Sequence, residues 1–88
     1  MRVEENVQAI IKKIIREKFL ISIDIKDDDN LTEIGIDSMK VIKLVIDLEE
    51  QFGFEFEDEK LTYDTLHSIN SIAAYVYERL KKKGDERF

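Results

Sequence analysis

The sequence predicts an all-α fold: a four-helix bundle of three main helices and one short helix, with a long loop after the first. Three observations carry that prediction. Apolar residues recur at helical spacing in three separate stretches. Proline is absent, so nothing breaks a helix from within. The only glycines, Gly35, Gly53 and Gly84, fall beside the ends of those stretches.

In the first helix Val3, Val7, Ile10, Ile11, Ile14 and Ile15 make one face, and Glu5, Gln8, Lys12, Lys13 and Arg16 make the other. From Phe19 to Asp37 the character changes. Ile21, Ile23 and Ile25 alternate as in a strand, but an isolated strand has no partner here. The acidic run Asp27, Asp28, Asp29 and Asn30 then favours turns. The segment therefore reads as a long loop that pins apolar side chains onto the bundle. Asp37 is placed to cap a second helix that starts at Ser38. Along it Lys40, Lys43, Asp47, Glu50 and Gln51 fall in one polar arc. Met39, Val41, Ile42, Leu44, Val45, Ile46, Leu48 and Phe52 cover more than half of the circumference. Such a helix packs on several sides or leaves apolar surface lining a space that can be filled.

Gly53 supplies a left-handed stop. Phe54 to Asp64 is acidic, with room for the short helix around Asp58 to Leu61. Ser68 is expected to cap the last helix, in which Ile69, Ile72, Ala73, Val76, Tyr77 and Leu80 form the buried stripe. Lys81, Lys82 and Lys83 suit its negative end, and Gly84 closes it.

A chain of 88 residues is expected to form one domain, residues 1–88, around one core, burying about 60 to 65% of the surface its unfolded form exposes. With 43% hydrophobic and 39% charged residues it can fold, under a heavily charged shell. A monomer is expected. The 14 Lys and Arg against 20 Asp and Glu leave a net charge of −6, which disfavours nucleic acid and anionic lipid as partners. Cysteine is absent, so there is no disulfide, thiol nucleophile or thiolate metal ligand, and any thiol chemistry must be imported. Charges interrupt every apolar stretch, and the N-terminus lacks an apolar signal core. The expectation is a cytoplasmic protein without a membrane span.

Few residues suggest chemistry. His67, the only histidine, has no Ser or Cys at a telling spacing and reads as a surface or capping residue. The acidic run fails as a calcium loop: counted from Asp24 or from Asp27, the sixth position is Asp29 or Thr32 in place of glycine, and the twelfth is Gly35 or Ser38 in place of glutamate. No metal site and no enzyme active site are expected. What remains is Gly35-Ile36-Asp37-Ser38-Met39, a serine hydroxyl at the start of an amphipathic helix. Ser38 is either a favourable first-turn residue or an anchor for a phosphate, which would face the positive end of the helix dipole at a gain of about 0.3 to 1 kcal/mol.

At these residues the sequence resembles the acyl and peptidyl carrier protein family, in free-standing form. Leu31, Gly35, Asp37 and Ser38 are similar to the family's leucine, glycine and aspartate-serine signature, followed by the apolar Met39. The resemblance continues through Val41, Ile42, Leu44, Val45 and Leu48 to Glu49-Glu50-Gln51-Phe52-Gly53, then through Thr65 to Ile72 and Tyr75. It implies that Ser38 receives a 4'-phosphopantetheine arm, donated by coenzyme A through a phosphopantetheinyl transferase. The arm's thiol then holds an acyl, aminoacyl or peptidyl group as a thioester for adenylating, acyl-transferring and downstream synthase enzymes, which dock transiently. The protein would be a substrate of the transferase and not an enzyme.

Carriers of fatty acid synthesis resemble one another in bearing acids two and five positions after the serine, where this chain has Lys40 and Lys43. That departure, with Ile42, resembles peptidyl carriers and leans toward a specialised nonribosomal peptide or polyketide type of pathway. A general fatty-acid carrier is the alternative, and an unmodified helical interaction module is an alternative of another class. Ile36, Met39, Lys40, Lys43 and the loop after Gly53 are the expected partner contacts. Ile36 and Met39 are equally readable as core, and Lys40 and Lys43 as a solvated face partly compensated by Asp47.

Overall fold

The computed structural model describes residues 3–21 and 24–85, with side chains inside the helices described from residue 7 to residue 81. It is an all-α bundle: α1 (Val3–Phe19), α2 (Ser38–Phe52), α3 (Tyr63–Leu66) and α4 (Ile69–Asp85), with single 3₁₀ turns at Leu31–Ile34 and Asp58–Lys60. Among the described residues there is no strand. Helix α1 packs against α4 and α2, and α3 packs against α4. Their buried apolar side chains form one cluster that includes Val7, Ile11 and Ile15 of α1, Leu44, Val45 and Leu48 of α2, and Ile69, Ile72, Ala73 and Val76 of α4. The side chains of Val3, Glu5, Lys82 and Lys83, and residue Ile23, lie outside the described residues.

The long loop does what its apolar residues require. Ile25, Leu31 and Ile36 are buried in the common core, and Ile21 packs half-buried against it. Ion pairs from Lys12 to Asp27 at 3.1 Å and from Arg16 to Asp24 at 3.5 Å lash its acidic part to α1. Each such surface pair contributes about 0 to 1 kcal/mol. The loop also joins the far end of the chain: the amide of Asn70 donates to the Asp27 carbonyl at 2.9 Å and that of Leu31 to the His67 carbonyl at 2.8 Å.

The second loop is held more firmly than its acidic composition suggests. Phe54-Glu55-Phe56-Glu57 alternates apolar and acidic residues, and Phe56 is buried 5.0 Å from the Tyr75 ring. The Arg79 guanidinium lies over the Phe54 ring at 4.8 Å and donates to the Glu55 carbonyl and the Tyr75 hydroxyl, both at 2.9 Å. The Phe56 amide donates to Glu49 Oε2 at 2.8 Å.

Two boundaries differ from the sequence expectation. The segment from Asp58 makes a 3₁₀ turn, and the short α-helix follows it at Tyr63–Leu66. Thr62 is extended and its carbonyl accepts from the amides of Thr65 and Leu66, so the helix nucleates only after it. Helix α4 runs through Gly84 to Asp85 instead of closing at the glycine. The expected cap of α4 is present as a reciprocal pair, with the Ser71 amide donating to Ser68 Oγ and the Ser68 amide to Ser71 Oγ, both at 3.1 Å.

After α1 the chain turns at Leu20, a non-glycine residue at φ 54° whose side chain is 88% exposed. Left-handed backbone costs a branched side chain about 1 to 2 kcal/mol, whereas glycine adopts it freely but loses more entropy on folding. Leu20→Gly is therefore expected to stabilise the protein by about 0.5 kcal/mol, read as a melting temperature about 2 to 4 °C higher. A lower melting temperature would show that the Leu20 side chain contributes more than its exposure indicates.

Candidate functional site at the start of α2

Ser38 is the first residue of α2, and the residues before it explain how the helix start is fixed. The 3₁₀ turn Leu31–Ile34 ends at Gly35, at φ 98°. A Cβ there would meet nothing within 4 Å, so glycine is favoured by conformation and not by space. The Ile36 amide donates to the Leu31 carbonyl at 3.0 Å, and its side chain, 1% exposed, enters the core. Asp37 is extended and caps the helix: its Oδ1 accepts from the Lys40 amide at 3.0 Å, while its carbonyl accepts from Val41 at 2.9 Å. The amides of Ser38 and Met39 thus keep no partner among the described residues, at the positive end of the helix dipole.

Ser38 itself is exposed. Beside it opens a cavity of about 260 Å³ between α2, the first 3₁₀ turn and α3. Its buried walls are Leu31, Ile36 and Leu66, and its exposed rim includes Ser38, Ile42 and Tyr63. The wall opposite α2 is tied together, with Asn30 Nδ2 donating to the Tyr63 hydroxyl at 2.7 Å. His67 lines the same cavity and closes α3, its Nδ1 lying 3.1 Å from the Tyr63 carbonyl and 3.2 Å from that of Asp64. With Nδ1–H donating to those carbonyls, the ring acts as a cap, stacked on Tyr63 at 5.2 Å. A larger, open cleft of about 740 Å³ runs along Lys12, Lys13 and Arg16, but apart from Ala9 its lining residues are charged or amide side chains that gather no convergent chemistry. Among the described residues no three His, Asp or Glu converge to hold a metal ion. No described helix is long and apolar enough to cross a membrane.

The remaining expected site residues separate clearly. Met39 is exposed beside Ser38, and Lys40 and Lys43 are exposed on the same helix. Lys40 Nζ donates to the Gly35 carbonyl at 3.1 Å. Ile36 is a correction: it precedes the helix, its backbone is tied to Leu31, and its side chain is core, so it offers no free surface to a partner. Asp47 does not compensate Lys43, because it pairs with Lys18 of α1 at 3.0 Å. Phe54 and Phe56 in the loop after Gly53 pack on the core, leaving Glu55 and Glu57 outside. The α3 wall, with Leu61, Tyr63 and Leu66, has no signal in the sequence, since two leucines five positions apart carry no helical period.

Comparison with known proteins agrees with this geometry. The family described as "Phosphopantetheine attachment site" matches residues 9–76. An acyl carrier protein homolog of Mycoplasma genitalium is 37% identical over 76 residues, 84% of this chain and 88% of that protein. An acyl carrier protein of Exiguobacterium sibiricum is 32% identical over 78% of this chain and 81% of its own. A chain in the crystal structure of the Bradyrhizobium japonicum glycine:[carrier protein] ligase complexed with glycylated carrier protein has a TM-score of 0.66. At 20% identity over 90% of this chain and 99% of that one, it is a likeness of fold. A helical chain with this match belongs to the phosphopantetheine attachment-site family, the non-catalytic carriers whose acyl carrier proteins bear covalently attached 4'-phosphopantetheine.

Proposed function

We propose that Ser38 is the attachment residue of the arm, and that the chain carries acyl, aminoacyl or peptidyl groups between the enzymes of a specialised biosynthetic pathway. The observation that carries this reading is the exposure of the Ser38 hydroxyl on a helix start fixed from below by Ile36 and capped by Asp37. The residues fit the group. Ser38 Oγ would form the phosphodiester bond, and the unpartnered amides of Ser38 and Met39 would face the phosphate's charge. The arm supplies the thiol that holds the cargo as a thioester, which this cysteine-free chain lacks. The chain's own residues perform no bond-making step. They hold the attachment point still, so that a flexible tether turns delivery into a local encounter.

The specialised pathway is supported by Lys40 and Lys43, which stand where the family's fatty-acid carriers have acids. The glycylated carrier of similar fold is consistent with aminoacyl cargo. A second reading, a general acyl carrier, is favoured by the names of the curated relatives and by the apolar cavity beside Ser38. Intact mass after incubation with coenzyme A and a broad-specificity transferase tests attachment, with one arm per chain expected. Loading of the resulting protein by adenylating enzymes in preference to fatty acyl-transferring ones tests the branch, and the opposite preference would overturn it.

A further inference from the structure

Helix α2 leaves a line of large apolar side chains in water. Met39 is 71% exposed, Ile42 45% and Ile46 49%, and Tyr63 across the cavity mouth is 61% exposed. Met39 and Ile46 are two turns apart, about 10 Å along the axis, and Ile42 lies between them on the same side. Ile42 and Tyr63 rim the same cavity as Ser38, so the patch is continuous with the attachment site. Its charge is local and opposite to that of the whole chain. The protein carries −6, yet the first turn of α2 has no acid and Lys40 and Lys43 follow within two turns. Lys40 rests on a neutral carbonyl, and Lys43 has no ion pair among the described residues. Of the carboxylates at either end of this stretch, Asp37 accepts from the Lys40 backbone amide, and Asp47 pairs with Lys18 of α1.

We infer that this face docks on enzymes that present carboxylates around an apolar depression, with Met39, Ile42 and Ile46 seated in the depression and Lys40 and Lys43 meeting the acids. The inference rests on the carrier reading and names the partner chemistry of that same site. Charge at such a rim acts on encounter rate and on the choice of partner more than on the packed centre, which the apolar residues supply. A lysine-rich or arginine-rich face would be repelled at Lys40 and Lys43, although the chain as a whole is acidic. Net charge alone therefore points to the wrong partner.

The probes are two phosphopantetheinyl transferases, one chosen for a carboxylate-lined carrier-binding face and one for a face lined by lysine and arginine. Binding is measured in a Ser38→Ala background, so that nothing reacts and docking is read apart from attachment. For the carboxylate-lined enzyme at about 0.05 M salt, Lys40→Glu with Lys43→Glu is expected to weaken Kd about tenfold or more, and the difference shrinks near 1 M salt, where screening acts within about 3 Å. The same double change tightens binding to the basic-faced enzyme, and Met39→Ala weakens binding to both. New glutamates near a helix N-terminus favour the helix, so the double variant keeps its fold, checked by circular dichroism. A double variant that shifts both enzymes in one direction, a shift insensitive to salt, or a parent surface that binds neither enzyme overturns the inference. An arm that appears on the Ser38→Ala chain in parallel mass measurements instead overturns the attachment reading and leaves the binding result standing.

Discussion

Ser38→Ala is expected to abolish acceptance of the phosphopantetheine arm completely while leaving the melting temperature within about 2 to 4 °C of the parent. Attachment needs an oxygen at that position, and the neighbouring hydroxyls cannot replace it, because Thr32 lies in the first 3₁₀ turn and Thr62 in the loop before α3, not at the start of α2. The stability term is small for separate reasons. Ser38 is exposed, its hydroxyl has no hydrogen-bond partner among the described residues, and Asp37 keeps the cap. Alanine is also a good helix former, and exposed substitutions away from caps and core stay within about 0.5 kcal/mol. Intact mass and a thermal melt on the same sample check both halves. A retained increment would move the attachment site elsewhere, and a collapse in stability would mean that the hydroxyl is structural.

Ile36→Ala, two residues earlier, is expected to give the opposite result. Its side chain is 1% exposed and belongs to the common core, so truncation removes buried methyl groups and leaves a void worth about 2 to 4 kcal/mol. A domain of this size has a stability of about 5 to 10 kcal/mol, and the melting temperature should fall by about 10 to 25 °C. The start of α2 should loosen with it, because Ile36 joins the Gly35 turn to the helix cap. If Ile36 instead acted as a partner contact, alanine would weaken docking and leave the melt unchanged. A melt and a binding titration on one variant separate the two roles.

The contrast between Ile36 and Met39 also marks where the sequence stopped being informative. Both are apolar, and both flank the exposed pair Asp37-Ser38, so composition leaves either one free to be core. The decision is made by the backbone: Ile36 leaves a turn tied to Leu31 and heads inward, whereas Met39 lies on a helix face that no other described element covers. Elsewhere periodicity sufficed. The stripes of α1 and α4, the Asp37 cap and the Gly53 stop were all legible, because each is a local pattern with a local cause. The helical turn expected near Asp58 is present as a 3₁₀ turn, whereas the short α-helix after it is too brief to show a period, and its position depends on the extended Thr62. The burial of Phe56 was hidden in an acidic stretch whose two-residue alternation suits one face against Tyr75, a partner 19 positions away. Asp47 lies one turn from Lys43 on its own helix, yet its partner is Lys18 on another. Long-range pairings of this kind leave no mark in a local pattern.

The hydrogen bonds that join the long loop to α3 and to the first turn of α4 have a mechanical consequence. The Asp27 carbonyl, the Leu31 amide and the Asn30 side chain all fasten to residues between Tyr63 and Asn70. Two segments more than thirty positions apart thus share one seam, running past the cavity wall. Neither segment can loosen without costing the other its hydrogen bonds, so the wall beside Ser38 is fastened from both sides of the chain.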